Sequence, residues 1–179
     1  MPGPDPALRE RLLEAAYASV ARYGMAKTTV EDVVKQSGVS RASVYRVFPG
    51  GKDQLLREVV AWEMGRFFGA LAEAVAGAPD FATLVEESLA FAQREVREHE
   101  VLQTILATEP ERLLPLMTTE QERPLRFITG YLLPYLEREQ REGRLLPGLD
   151  LDGAADYVAR MVLSLIGSPG RWNLDDPAQ

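Results

Sequence analysis

The chain has 179 residues, no cysteine, one histidine and a formal net charge of −7. Without cysteine it can form neither a disulfide framework nor a thiolate metal site. No apolar run approaches the length of a membrane span and the N-terminus has no apolar signal stretch, so a cytoplasmic protein without membrane contact is predicted.

The pattern of apolar residues first predicts an amphipathic helix over residues 7–23. Its apolar face repeats at helical spacing and is made by Leu8, Leu12, Ala16 and Val20. Gly24 follows Tyr23 directly, and a glycine at this point is typical of a helix end.

The segment 29–52 has the layout of two short helices joined by a tight turn. Thr29 can cap the first helix, with Asp32 three residues later as its partner in a capping box. Gly38 stands where the chain needs a left-handed residue after a helix, and Ser40 can cap the second helix. This layout predicts a helix-turn-helix, whose second helix enters the major groove of DNA.

The second helix is predicted over residues 41–48, with Val44 and Phe48 facing the core. The polar side chains left for other faces suit DNA, since arginine reads guanine edges while hydroxyl groups reach phosphates. They are Arg41, Ser43, Tyr45 and Arg46. The alternative is that capped helices and exposed polar side chains are ordinary features of a helical protein.

Several short motifs follow in a fixed order: Tyr23-Gly24, Lys27-Thr28-Thr29, Gly38-Val39-Ser40-Arg41, Val44-Tyr45-Arg46-Val47-Phe48 and Lys52-Asp53-Gln54-Leu55-Leu56. Together they resemble the TetR family of bacterial transcriptional regulators over about residues 7–57. Val34 and Val47 stand where alanine and histidine are common in the family. The link from Phe48 to Lys52 is one residue longer than usual.

The resemblance implies an all-α chain with a three-helix DNA-binding head at residues 1–51 and a helical body for effector binding and dimerisation at residues 52–179. The charge agrees, because residues 1–52 hold 8 basic and 5 acidic side chains (8 − 5 = +3), and the remainder holds 12 and 22 (12 − 22 = −10). The predicted DNA contacts are Thr28, Thr29, Arg41, Ala42, Ser43, Tyr45, Arg46 and Lys52.

The rest of the chain is predicted to be helical, with proline and glycine as breaks. A long helix from residue 52 to 76 bridges head and body. Further helices follow at residues 81–98, 101–107, 110–117, 120–142 and 152–167, and Pro134 should kink the one that contains it.

Apolar residues on the last two long helices predict a homodimer interface, and the resemblance implies that these helices pair with their symmetry mates. The residues are Leu132, Leu133, Leu136, Ala155, Ala159, Val162, Leu163 and Ile166. A symmetric dimer would read two half-sites of a palindromic operator in double-stranded DNA. The alternative is a core pair of helices inside one subunit.

The resemblance also implies a small-molecule effector bound in the body, whose apolar lining would suit an amphipathic ligand. The candidate residues are Trp62, Arg66, Phe67, Phe91, His99, Leu102, Ile105, Leu106, Met117, Phe127 and Tyr131. For each aromatic residue, packing in a core is the competing interpretation.

The sequence offers little for catalysis. It has neither a phosphate-binding glycine loop nor a nucleophile elbow, so no enzyme, cofactor or metal site is predicted. The function predicted is a DNA-binding transcriptional regulator, a repressor released by a small ligand. The alternatives are a helical interaction module and a regulator controlled by another protein.

Overall fold

The computed structural model describes residues 5–112 and 122–167, and this part of the chain folds into α-helices. The predicted all-α class is confirmed. We number the helices in chain order: α1 (Pro6–Tyr23), α2 (Val30–Ser37), α3 (Arg41–Val47), α4 (Gly51–Ala74), α5 (Phe81–Glu98), α6 (Glu100–Thr108), α7 (Glu122–Arg141) and α8 (Leu151–Gly167). The helix predicted at residues 110–117 lies mostly outside the described residues.

The first helix is delimited by its capping residues. The carboxylate of Asp5 accepts a hydrogen bond from the backbone N–H of Ala7 at 3.0 Å, and Pro6 follows in the first turn. Gly24 ends the helix with a φ of 80°, a left-handed conformation that glycine adopts at little cost. The predicted apolar stripe is confirmed, since Leu12 and Ala16 are fully buried and Val20 nearly so.

The turn between α2 and α3 has the geometry that its residues predict. The Thr29 hydroxyl accepts from the Asp32 N–H at 3.2 Å, and the Asp32 carboxylate accepts from the Thr29 N–H at 2.9 Å. Gly38 is left-handed, with φ 66° and ψ 17°. Ser40 then caps α3 by accepting from the Ser43 N–H at 3.2 Å.

One apolar core joins the first three helices to the start of α4. Its central residues are Leu12, Leu13, Val33, Val44, Phe48 and Leu55, all almost fully buried. Val34 packs at the edge of this core. The N-terminal half of α4 therefore belongs with the head in packing, because its buried side chains complete that core.

The chain divides into two compact units that differ from the division expected at residue 51. The first comprises residues 1–70 and 100–113, and the second residues 71–99 and 114–179. α6 belongs to the first unit because Ile105 is buried in a second cluster with Val20, Met25 and Leu56. The functional boundary at residues 51 and 52 stays a proposal.

The second unit is built mainly from α5, α7 and α8. α7 packs along α8, and α5 contacts both. Asp80 caps α5 by accepting from the Thr83 N–H at 2.8 Å. α8 begins at Leu151, and Asp152 lies in its first turn. Pro134 lies inside α7 and is exposed.

A buried ion pair holds the end of α7. Glu139 is only 4% exposed, and both of its carboxylate oxygens accept from the guanidinium of Arg144, the second at 2.7 Å. Beside it, Arg138 donates to the backbone carbonyl of Pro79 at 3.3 Å. These contacts tie the turn after α7 to the start of α5. Among the described residues, no helix is both long and apolar enough to cross a membrane.

We expect Glu139→Gln to make the stability of the fold less dependent on pH. The hydrogen bonds from Arg144 lower the pKa of Glu139 in the folded protein. A lowered pKa gives a contribution that is complete above the unfolded pKa, about 4.3, and is lost as the pH falls through the folded value. Urea unfolding of both proteins from pH 7 to pH 3 should show the variant less stable at neutral pH, with the gap closing in acid.

The matched control is Glu137→Gln, because Glu137 is exposed on the same helix. It should change the urea midpoint little at any pH. A gap between Glu139→Gln and the wild type that stays constant down to pH 3 would contradict the role of this carboxylate charge.

Candidate nucleic-acid interface

The third helix presents one face to solvent, and we call it the reading helix. Val44 and Val47 are buried, and Phe48 packs directly after them. The opposite side exposes Arg41, Ala42, Tyr45 and Arg46. The burial of one side therefore decides which side chains can reach DNA, and these are four of the residues predicted to do so.

Arg41 is a highly accessible member of this exposed face. Its side chain is 65% exposed. The guanidinium lies 3.5 Å from the Glu31 carboxylate and 5.7 Å from the centre of the Tyr45 ring. A surface ion pair of this kind contributes only about 0–1 kcal/mol. Arg41 can therefore exchange Glu31 for a guanine edge at small cost.

Tyr45 is positioned by a glycine that the sequence prediction did not use. Gly51 has a φ of 62°, and a Cβ atom there would lie 3.3 Å from the Tyr45 ring. Because Gly51 has no side chain, the backbone of the Pro49-Gly50-Gly51 link can lie close to the Tyr45 ring. The ring itself stays 40% exposed. This leaves its hydroxyl free to act as the phosphate contact that was predicted.

Two of the predicted contacts are engaged inside the protein. Thr28 is 1% exposed, and its hydroxyl donates to the Gly24 carbonyl at 2.7 Å. A buried hydroxyl cannot reach a phosphate, so Thr28 serves the loop and the prediction for its side chain is corrected. Ser43 is half-buried, and its hydroxyl accepts from Ser40 at 3.0 Å.

Thr29 and Lys52 lie on either side of the reading helix in the chain. The Thr29 side chain is exposed and donates to Asp32 at 2.6 Å. The ammonium group of Lys52 donates to the Ala26 carbonyl at 2.6 Å. Lys52 therefore places its positive charge beside the loop before α2. Its contact with a DNA phosphate stays a prediction.

Residues 12–59 match the family described as bacterial regulatory proteins, tetR family. The match runs from α1 into α4 and includes the whole helix-turn-helix. Over these residues, which form the N-terminal domain of the chain, the protein is similar to the TetR family. The recognition made from the sequence is confirmed.

A curated relative of the chain agrees with this similarity. An uncharacterized HTH-type transcriptional regulator of Mycobacterium tuberculosis (strain ATCC 25618 / H37Rv) is 42% identical over 52 residues, which are 29% of this chain and 27% of that protein. The alignment thus spans about a quarter of this curated relative.

Solved structures extend the likeness beyond the head. One, described as the molecular basis for control of antibiotic production by a bacterial hormone, is 26% identical with a TM-score of 0.60 and covers 90% of this chain and 84% of that one. The TetR family repressor AlkX from Dietzia sp. strain DQ12-45-1b has a TM-score of 0.66 at 21% identity, covering 97% and 90%. The second shows a shared fold.

The residues predicted to bind an effector fall into both compact units. Those in the first unit are Trp62, Arg66, Phe67, Leu102, Ile105 and Leu106, and those in the second are Phe91, His99, Phe127 and Tyr131. Met117 lies outside the described residues.

Two of these residues pack in or against the cores of the first unit, as the competing interpretation expects. Trp62 packs on the head core, with its ring centre 6.1 Å from that of Tyr17 in an edge-on contact. Ile105 is buried with Val20. His99 lies at the end of α5, where its backbone N–H donates to the Glu95 carbonyl at 2.9 Å.

Other residues of the set keep some accessibility. Leu106 and Phe127 are exposed, and Arg66 stacks over Trp62 at 4.9 Å. The hydroxyl groups of Tyr131 and Tyr135 lie 3.3 Å apart. Burial, followed by this neighbouring hydroxyl, raises the pKa of Tyr131, which therefore stays neutral and able to donate.

The residues predicted to form the dimer interface include both buried and half-buried side chains. Four are buried within the subunit, where α7 meets α8 and α5: Leu132, Leu136, Ala155 and Ala159. The burial of these four agrees with the alternative of a core pair of helices within one subunit, and the small alanine side chains allow the helices to approach closely. Leu133, Val162 and Leu163 are half-buried, and the side chain of Ile166 lies outside the description.

A different set of apolar side chains on the same two helices faces outward. Tyr157 is 66% exposed and Met161 45% exposed, four residues apart on α8. Phe127 is 49% exposed on α7. The sequence contained this signal in the spacing of Tyr157 and Met161. The sequence prediction did not select these two residues, because the neighbouring stripe with Ala155 and Ala159 also had the pattern of an interface between two helices.

We expect Arg41→Ala to relax the choice of base at one position in each half-site and to weaken binding to the preferred duplex by about 1–3 kcal/mol. Tyr45→Phe should weaken binding to all sequences alike, because it removes a phosphate contact. The duplex is first selected from a random-sequence library with the wild-type protein, and affinities are then measured by fluorescence anisotropy.

Both variants should keep the circular dichroism spectrum and melting temperature of the wild type, since neither side chain is buried. The matched control is Arg57→Ala, an exposed arginine on α4 outside the reading helix. If Arg41→Ala and Tyr45→Phe both bind the selected duplex as the wild type does, α3 is not the reading helix.

Proposed function

We propose that this chain regulates transcription by binding an operator as a homodimer, and that it is a repressor released by a small amphipathic ligand. The observation that carries the proposal is the exposed face of α3, which displays Arg41 and Tyr45 on a TetR-family head. No core contact requires either group on that face. Such a regulator acts where the DNA is, in the cytoplasm.

Electrostatics supports binding by the head. Residues 1–52, the head together with the first residue after it, carry a net charge of +3, and residues 53–179 carry −10. A basic head attracts phosphates, while an acidic remainder repels DNA and disfavours other orientations. The charge distribution thus supports specific docking over general adhesion to DNA.

Dimerisation is supported by the outward apolar stripes of α7 and α8. One reading helix contacts few base pairs, whereas a two-fold dimer reads two half-sites about one helical turn apart. Exposed large apolar side chains on neighbouring helices are a signal of association. The interface we propose is therefore centred on Tyr157, Met161 and Phe127, together with the half-buried Leu133, Val162 and Leu163.

The selection from random duplexes tests this function directly. A dimer should enrich an inverted repeat with half-site centres about 10 base pairs apart, or a multiple of that spacing. Enrichment of a single half-site would contradict binding as a dimer. The absence of any enriched sequence would favour the alternative of a helical interaction module.

We expect Met161→Arg to convert the dimer into a monomer and to weaken operator binding strongly. A charge buried in an apolar interface without a partner costs several kcal/mol. The head should be unaffected, because Met161 is far along the chain from α3 and exposed in the subunit. Sedimentation velocity gives the oligomeric state, and anisotropy with the selected duplex gives the affinity.

Leu146→Arg is the matched control, because Leu146 is 77% exposed in the loop after α7 and receives the same charge. It should remain dimeric. If Met161→Arg also remains dimeric and binds the duplex normally, the interface lies elsewhere on the subunit.

The effector is the finer part of the proposal. Its support is the 26% identical structure described in terms of control by a bacterial hormone, together with the accessible apolar side chains Leu106 and Phe127. A ligand can release DNA only if it binds the DNA-incompetent state more tightly. A coupling of about 1–3 kcal/mol would lower operator affinity by about 5–150-fold.

We expect a screen of medium-chain carboxylic acids, alcohols and phenols to yield a compound that raises the melting temperature and releases the selected duplex. Trp62 should report the change by fluorescence in a Trp172→Phe background, since it packs on the head core. A compound that stabilises the protein without releasing DNA would favour a regulator controlled by another protein.

A further inference from the structure

The residue after α6, Glu109, contacts the DNA-binding head. Its backbone N–H donates to the Ile105 carbonyl at 2.7 Å and continues the last turn of the helix. Ile105 is buried with Val20, Met25 and Leu56. Glu109 therefore projects from a turn that is anchored in the same compact unit as the reading helix.

The carboxylate of Glu109 binds the loop between α1 and α2. Its Oε2 atom accepts from the backbone N–H of Ala26 at 2.8 Å, although the two residues are 83 positions apart. Gly24 makes room for it, because a Cβ atom at that glycine would overlap the Oε1 atom of Glu109. A hydrogen bond from an amide to a charged acceptor is stronger than one between neutral groups.

Ala26 is also held at its carbonyl group, which belongs to the next peptide unit. The ammonium group of Lys52, at the start of α4, donates to the Ala26 carbonyl at 2.6 Å. Glu109 and Lys52 thus bracket Ala26, one at its N–H and the other at its C=O. The buried Thr28 hydroxyl closes the loop onto Gly24. Thr29, the capping residue of α2, follows immediately.

We propose that Glu109 is a positioning residue for DNA binding, which holds the 24–29 loop and through it the start of α2 and Lys52. This inference rests on the proposed function. Electrostatics alone gives the opposite expectation, because a carboxylate beside a DNA-binding surface repels phosphates and its removal should tighten binding. The two explanations therefore differ in the sign of the effect.

The test compares Glu109→Ala with Glu111→Ala, which removes the same charge from an exposed position two residues later. Binding of the selected duplex is measured between 50 and about 200 mM salt, the range over which phosphate attraction changes most. Glu109→Ala should bind about tenfold more weakly at every salt concentration, the size expected when a hydrogen bond to a charged group is lost. Glu111→Ala should bind as the wild type or more tightly at low salt.

Glu109→Gln separates the hydrogen bond from the charge. Its amide oxygen can still accept from Ala26, so this variant should bind nearly as the wild type does. A structural role in stability alone would lower the melting temperature of Glu109→Ala and leave the affinity of the folded protein unchanged. That result would overturn the inference.

Hydrogen exchange of the Ala26 amide, followed by NMR without DNA, gives a readout that does not depend on the proposed function. Exchange should be faster in Glu109→Ala and close to the wild-type rate in Glu109→Gln and Glu111→Ala. If the wild type selects no duplex, the proposed function fails and the positioning role fails with it. If the wild type binds while Glu109→Ala binds equally well or more tightly, only the positioning role of Glu109 is overturned.

Discussion

The burial of Val44 and Phe48 is the constraint on which the head depends. These two side chains pin one side of a seven-residue helix into a core shared by α1, α2 and α4. A helix this short is not stable by itself, so its orientation comes from tertiary packing. Arg41 and Tyr45 point outward as a consequence. The left-handed Gly38 and the Ser40 cap set the angle at which α3 leaves the turn.

The loop before α2 is a second constraint, and it is made of polar contacts instead of apolar packing. Its few residues form no helix, so their backbone groups need partners from elsewhere. Thr28 supplies one from within, while Lys52 and Glu109 supply two from other helices. Contacts from α4 and from the turn after α6 therefore hold the loop that leads into α2. Packing and recognition are thus linked through a few hydrogen bonds.

In the second unit, α7 and α8 both form the internal core and expose apolar side chains on their outer faces. Ala155 and Ala159 are buried because small side chains allow α8 to approach its neighbours closely within the subunit. Tyr157 and Met161 occupy the other face of the same helix and are exposed. Because an internal core and an interface between subunits are both apolar, composition alone could not divide these residues. The likeness to solved structures that cover most of the chain agrees with the fold of this unit.

The sequence by itself determined the all-α class, the capping box at Thr29, the glycine turn and the face of the reading helix, because these depend on contacts between near neighbours in the chain. Helix ends were right to within a few residues for the same reason. Only the tertiary structure decided that Thr28 and Ile105 are buried, that the partly buried Trp62 packs on the head core, and that Glu109 reaches Ala26. Such contacts join residues far apart in sequence. The periodicity of apolar residues shows which face of a helix is apolar, but it does not show which element packs against that face.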